Sequence, residues 1–260
     1  MSILQGKRIL VTGVVNTESI AWAFAERAQE LGAEVLLTAF DRDRERTLEA
    51  RDQLTTPVDV LELDVTEPEH YERLSGELRE SWGRLDAALH AVAFAPRAAL
   101  AGDFLEADLD SVQRAFATST YSYASLARVL SDLAPETGGS LVGLDFDAAA
   151  AWPIYNWMGV CKAALEAASR YIARDLGPRG IRSNLVAAGP LTTRAAGGIP
   201  EFERLTDAWE ANAPVPWDPA DTGPVADAVC FLCSDLSRSV TGEILHVDGG
   251  FHAMAAPLRK

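Results

Sequence analysis

Cysteine is scarce in this chain, with three among 260 residues, and the odd number argues against a disulfide framework. Cys230 and Cys233 form a C-x-x-C pair, but inside the apolar, helix-like stretch Ala228-Val229-Cys230-Phe231-Leu232-Cys233. No second pair accompanies it, and the four histidines (His70, His90, His246, His252) are scattered, so the pair reads as small buried hydrophobes and no metal site is expected. Positive charge is also short: 23 Lys and Arg against 38 Asp and Glu leave a net charge of −15 and a pI near 4.7. Such a surface repels phosphate backbones, which makes nucleic acid an unexpected partner. No apolar run reaches the roughly 18 residues that a membrane span needs. The opening residues, Met1-Ser2-Ile3-Leu4-Gln5-Gly6-Lys7-Arg8, lack a signal-peptide pattern and run straight into a strand. A cytoplasmic protein without a membrane partner is expected. Linkers, low-complexity tracts and internal repeats are missing as well, so residues 1–260 read as a single domain.

What the chain does contain is alternation. Hydrophobic residues make up 48% and charged residues 23%, enough for a real core. Strand-length apolar stretches at 8–11, 34–38, 58–63, 85–93, 140–144, 181–187 and 243–247 are separated by helical patterns at 19–31, from about 43, and at 68–82, 109–133, 156–176 and 224–236. This βαβα rhythm predicts an α/β fold: one doubly wound, Rossmann-type parallel sheet with helices on both faces. Ligands are then expected at the carboxyl ends of the strands. The stretch 189–217, with its glycines and prolines, has the composition of a flap over that end.

Candidate nucleotide-binding residues sit at successive strand ends. Gly13 follows the first strand and suits a tight turn, although the full G-x-G-x-x-G pattern is absent; Ser19 or Ile20 opens a helix whose free N–H groups suit a pyrophosphate. Phe40 follows the second strand, where an adenosine ribose rests in such folds, and Asp64 with Val65 follows the third. The fourth runs into His90-Ala91-Val92-Ala93-Phe94-Ala95-Pro96, small residues that allow close backbone approach. Each alone is compatible with an ordinary strand terminus; the recurrence points to a dinucleotide.

The sharpest signal is Pro153-Ile154-Tyr155-Asn156-Trp157-Met158-Gly159-Val160-Cys161-Lys162. At 100° per residue, Tyr155 and Lys162 fall about 20° from alignment on one helix face, roughly 10 Å apart along the axis. Taken with residues 13–21, 61–65, 90–96, 143–147, SNLVAAGP at 183–190 and GEILHVDGG at 242–250, the chain resembles the enoyl-acyl-carrier-protein reductases of the short-chain dehydrogenase/reductase superfamily, actinobacterial members included.

The resemblance implies a cytoplasmic, homotetrameric, NADH-dependent oxidoreductase of fatty-acid synthesis, acting on trans-2-enoyl thioesters carried by acyl carrier protein or CoA. It implies that Tyr155 bonds the thioester carbonyl as an enolate forms, that Lys162 holds the nicotinamide ribose, and that Phe146 borders the nicotinamide. Ser19, Ile20, Asp64, Val65 and Val92 match cofactor contacts, with Gly13, Phe40 and Ala93 beside them. Leu191 and Thr193 match residues at the carboxamide and pyrophosphate. Many relatives carry Ser-Ile-Gly where Ala91-Val92-Ala93 stands, and Glu18 adds a negative charge near the expected pyrophosphate.

Two further features bear on the reaction. Ketoreductases of the superfamily space the pair as Tyr-x-x-x-Lys and place a serine about thirteen residues before the tyrosine. Here the tyrosine stands about one helical turn farther back, as charge building two carbons from the hydride acceptor requires, and residues 142–146 carry no hydroxyl. A carbonyl or ketoacyl reductase, or a silent cofactor-binding homologue, are the alternatives. Phe40, Asp41 and Asp43 favour NADH over NADPH, with Arg42 and Arg44 pulling the other way. A lid at about 195–217 is expected to line an acyl channel with Ala195, Ala196, Ile199, Phe202 and Leu205, facing Ala95 and Tyr155, with a hinge at Gly197, Gly198 and Pro200. Arg97, Arg194 and Arg204 are candidates for a basic rim toward an acidic carrier, or ordinary solvated arginines.

Overall fold

The computed structural model describes residues 2–255. Seven strands form one parallel sheet in the order β3-β2-β1-β4-β5-β6-β7: β1 (Arg8–Val11), β2 (Glu34–Ala39), β3 (Val60–Glu62), β4 (Ala87–His90), β5 (Gly139–Asp145), β6 (Ile181–Ala188) and β7 (Ile244–Val247). The two-residue side-chain period of a strand sends neighbours to opposite faces. In β1, Ile9 and Val11 enter one core and Leu10 the other; β2 divides Val35, Leu37 and Ala39 from Leu36 in the same way. Both faces are apolar, so both must be covered.

Helices α1 (Ile20–Glu30) and α9 (Gly223–Cys233) pack on one face. In α1 the buried residues Ala21, Phe24, Ala25 and Ala28 follow the helical period. Cys230 and Cys233 lie buried in this core, as their apolar neighbours implied, and burial pushes the Cys233 thiol up to about 12. On the other face α3 (Pro68–Ser81), α6 (Ser122–Leu133) and α7 (Asn156–Leu176) contribute Leu74, Leu78, Leu126, Leu130 and Leu165. The remaining helices are α2 (Arg44–Arg51), α4 (Arg97–Leu100), α5 (Leu109–Phe116) and α8 (Glu203–Asn212). No described helix is long and apolar enough to cross a membrane.

Strand order reverses beside β1, where β2 runs one way and β4 the other, and a crevice opens there at the carboxyl ends. Two strands are shorter than their apolar runs predict. Residues 91–93 leave the ladder after β4 to line that crevice, and β3 is an edge strand of three residues. The helix expected at 109–133 is continuous but carries a π-helical turn, Ala117–Tyr121, between α5 and α6. The extra residue aims two hydroxyls inward: Thr120 donates to the Cys161 carbonyl at 2.8 Å, and Ser119 bonds both the N–H and the carbonyl of Phe94 at 3.0 Å. One turn thereby fixes both α7 and the chain leaving β4.

Candidate active site

The strand ends surround a cavity of about 1330 Å3. At its β1 side, Gly13 adopts φ +82°, and a Cβ there would stand 2.1 Å from the Ala91 carbonyl oxygen, so only glycine fits. Thr12 staples the same two strands, donating to Leu89 O at 2.9 Å and accepting from Ala91 N at 3.1 Å. Ser19 caps α1 by accepting from Trp22 N at 3.2 Å, which leaves other N–H groups of the first turn directed outward. That turn contains no acidic residue, so the positive end of the helix dipole is undiminished. Glu18 accepts from Asn16 Nδ2 at 3.2 Å and stands between the lining residues Asn16 and Ser19 without itself forming part of the wall.

Phe40, Asp64, Val65, Val92 and Ala93 extend the wall past β2, β3 and β4. Asp64 Oδ1 accepts from the Thr66 N–H and hydroxyl at 2.9 and 2.7 Å, which fixes the orientation of its carboxylate. Arg42 lies over the rings of Phe40 and Phe94, 5.1 and 5.9 Å from their centroids. Asp43 accepts from Arg42 Nε at 3.3 Å and Arg46 Nη1 at 3.4 Å. The sequence named Asp41 and Arg44 beside Arg42 and Asp43; the cavity is lined by Arg42, Asp43 and Arg46, while Asp41 and Arg44 are not part of its wall.

On the other side stand Phe146, Tyr155, Met158 and Lys162, then Leu191, Thr193 and the segment after β6. Tyr155 is not part of the helix that its spacing from Lys162 suggested. It is the residue before α7, with φ −113°, between Ile154 and Asn156 at φ +62° and +39°. The helical wheel therefore does not relate it to Lys162, yet both reach one cavity because the strained turn brings the tyrosine back over the helix end. Its ring packs on Phe146, centroids 5.0 Å apart, and burial pushes the phenol above its ordinary pKa, so it is a protonated donor. Lys162, 6% exposed, donates to Leu144 O at 2.8 Å.

Behind these residues Phe146, Trp152, Trp209 and Phe251 form an aromatic block, with Trp209 and Phe251 stacked at 3.8 Å. Ala95, Ala195, Ala196, Ile199, Phe202 and Leu205 supply an apolar wall in front of it. The segment after β6 is more ordered than its composition indicated, holding the 3-10 turn Ala196–Gly198 as well as α8. Gly197 and Gly198 have open space where a Cβ would stand and no positive φ, so neither is there for backbone reasons; Glu201 carries the left-handed φ of +54°. Arg194 lines the cavity, whereas Arg97 and Arg204 do not, and Arg204 pairs with Glu201 at 2.6 Å.

Most of the candidate residues named from the sequence thus converge: Gly13, Ser19, Ile20, Phe40, Asp64, Val65, Val92, Ala93, Ala95, Phe146, Tyr155, Lys162, Leu191, Thr193, Ile199 and Phe202 line the same cavity, whereas Asp41, Arg44, Arg97, Gly197, Pro200 and Arg204 do not. A family profile described as enoyl-(acyl carrier protein) reductase matches residues 13–252. The chain belongs to that family. Among its relatives, the enoyl-acyl-carrier-protein reductase (NADH) of Mycolicibacterium smegmatis is 41% identical over 264 residues, covering 95% of this chain and 97% of that protein. The corresponding proteins of Rhizobium meliloti and Escherichia coli are each 38% identical, covering 97% and 98% of this chain and 92% and 97% of their own lengths.

For a reductase of this family the sequence overlooked one residue of the site. Asp145, the last residue of β5, reaches the cavity wall with a side chain that is 0% exposed, 4.0 Å from Lys162 Nζ. The signal available was a carboxylate ending an otherwise apolar strand.

Proposed function

We propose that this chain reduces the 2,3 double bond of trans-2-enoyl thioesters, with NADH as the hydride donor, in fatty-acid synthesis. The observation that carries the reading is Tyr155 and Lys162 on one cavity with a phenol donor, an apolar wall beside it and no serine at the end of β5. The cavity suits a dinucleotide: the glycine turn at Gly13 gives close backbone approach, and the cap at Ser19 presents the helix N-terminus. When bound, NADH supplies the hydride. Gly13, Ser19, Ile20, Leu191 and Thr193 would hold its pyrophosphate and carboxamide side, Phe40, Asp64 and Val65 its adenosine, Val92 and Ala93 its central part, and Lys162 its nicotinamide ribose.

The protein's own contribution is electrostatic and positional. Tyr155 donates a hydrogen bond to the thioester carbonyl oxygen, where negative charge builds as the β-carbon is reduced. Because the phenol is buried and keeps its proton, it stabilises the enolate without first ionising. Phe146 packs against that phenol and limits its tilt. Ala95, Ile199 and Phe202 exclude water from the acyl chain, and residues 195–217 act as the lid of a single-domain enzyme.

The acyl group is carried by acyl carrier protein, and the enzyme works in the cytoplasm as a homotetramer. Exposed apolar side chains on adjoining helices support self-association: Leu109 and Phe116 on α5, Val160 and Tyr171 on α7.

The test is NADH oxidation with crotonyl-CoA and longer 2-enoyl thioesters on CoA and carrier protein. Tyr155→Phe is expected to lower kcat by about 100- to 1000-fold with the NADH Kd unchanged, as loss of an oxyanion donor does. Lys162→Ala is expected to weaken NADH instead. Equal loss of cofactor binding in both variants, or a substrate preference for 3-oxoacyl over enoyl thioesters, would overturn the reading.

A further inference from the structure

Asp145 is a buried carboxylate for which strand geometry alone gives no reason. It ends β5 on the cavity side, and neither carboxylate oxygen has a hydrogen-bond partner among the described residues. An anion so placed is costly unless a cation answers it. The groups around it come from four elements. Lys162, Cys161 and Glu166 belong to α7, Tyr155 and Asp147 to the loop between β5 and α7, Tyr123 to α6 and His90 to β4.

Most of these carry no charge near neutrality. His90 is held down to about 3 by burial and by the charge of Lys162. Burial pushes Tyr123, Tyr155 and Cys161 upward, which keeps them protonated. Glu166 accepts from Ala148 N at 3.3 Å and lies 3.8 Å from Arg170, Asp147 lies 3.8 Å from His246, and both carboxylates repel the Asp145 charge and do not answer it. Burial raises the Asp145 carboxyl to about 7 against the opposing charge of Lys162, so it is an anion across the alkaline range, where Lys162 is the cation that answers it.

The need is mutual. Burial drives the Lys162 ammonium toward losing its proton, and the Asp145 charge opposes that loss. With Nζ donating to Leu144 O at 2.8 Å and drawn toward Asp145 at 4.0 Å, the ammonium is held from two sides and its remaining N–H can face the cavity.

We propose that Asp145 is a positioning residue of this reductase, the counter-charge that keeps Lys162 protonated and aimed at the cofactor site. The proposal rests on the reading of Lys162 as a cofactor-holding residue. It requires no contact between Asp145 and the cofactor. Its signature is the pH at which binding fails on the alkaline side, because an ammonium deprived of its counter-charge deprotonates sooner.

The experiment is a fluorescence titration of NADH from pH 6.5 to 10 on wild type, Asp145→Asn and Asp145→Ser, with circular dichroism at each pH to confirm folding. Both variants are expected to lose affinity at a pH at least one unit lower than wild type, which reads as roughly tenfold weaker binding at a fixed alkaline pH. Curves with a common alkaline midpoint, whatever their vertical offset, would overturn the proposal, since a purely structural role changes affinity without moving the midpoint. Should neither variant fold, Lys162→Arg decides: a guanidinium stays charged throughout, so the alkaline loss should vanish, and its persistence at the wild-type midpoint refutes the idea. A wild type that binds no NADH at any pH counts against the function assigned above. A wild type that binds it, with unshifted variants, counts against Asp145 alone.

Discussion

At the adenosine end of the cavity, one carboxylate restrains two guanidinium groups. Asp43 accepts from Arg42 and Arg46, so its carboxylate offsets part of their charge and itself repels a second phosphate on the ribose. kcat/KM with NADH is therefore expected to exceed that with NADPH, and Asp43→Ala should narrow the gap by about tenfold by releasing both arginines. Steady-state kinetics with the two cofactors check this; an unchanged ratio in the variant would remove Asp43 from the explanation. Residues whose role follows from type and order were legible in the sequence. Gly13 marks a turn, and Tyr155 with Lys162 marks a donor and a cation near one another. Roles set by burial were not. Asp145 and Arg46 look like ordinary charged residues until the fold shows that the first is sealed beside Lys162 and that the second, rather than Arg44, turns toward the cavity.

Among the elements, α8 and the 3-10 turn before it would, on the proposed function, set how much acyl chain is enclosed. Ile199, Phe202 and Leu205 line the cavity, but one turn past Leu205 the helix presents Trp209, which is 2% exposed and packed on Trp152 and Phe251. Each methylene buried along the wall contributes about 0.8 kcal/mol, a gain that stops where the aromatic block begins. Across a series of enoyl thioesters, kcat/KM should climb through short and medium lengths and then level off. A steep rise continuing to about sixteen carbons would show that the block yields. The positions of strands and long helices were readable because hydrophobic period survives in sequence. The conformation of residues 153–156 was not, because Ile154, a β-branched residue, occupies a left-handed φ that its local preference opposes, and Asn156 one that asparagine adopts only in some contexts. That turn, and not helical spacing, places the phenol.

Over the whole molecule, a doubly wound parallel sheet follows from alternation, whereas the order of its seven strands is visible only in the fold. Assembly does not follow from alternation either, since an exposed Leu109 at 69% and Tyr171 at 61% are visible only once α5 and α7 are seen side by side. Light scattering after size exclusion should give about four times the 28.0 kDa chain mass, and Leu109→Asp should yield smaller species. A wild type that runs as a monomer at micromolar concentration refutes this. The stack of Trp209 on Phe251 has a different consequence. It fastens the far end of α8 to the turn Phe251–Ala253, outside the segment it belongs to. Parting the rings would forfeit about 1 kcal/mol of stacking beyond the apolar surface it exposes. The near end, from Ala195 to Glu201, packs on the same cluster through Ala196 and Ile199 without an aromatic stack, and contains Glu201 already in a left-handed conformation. If the cavity opens, it opens as a door whose hinge post is the aromatic stack, with the free edge at residues 195–202, so substrate enters beside Ile199 and Phe202 while the wall at Trp209 stays shut.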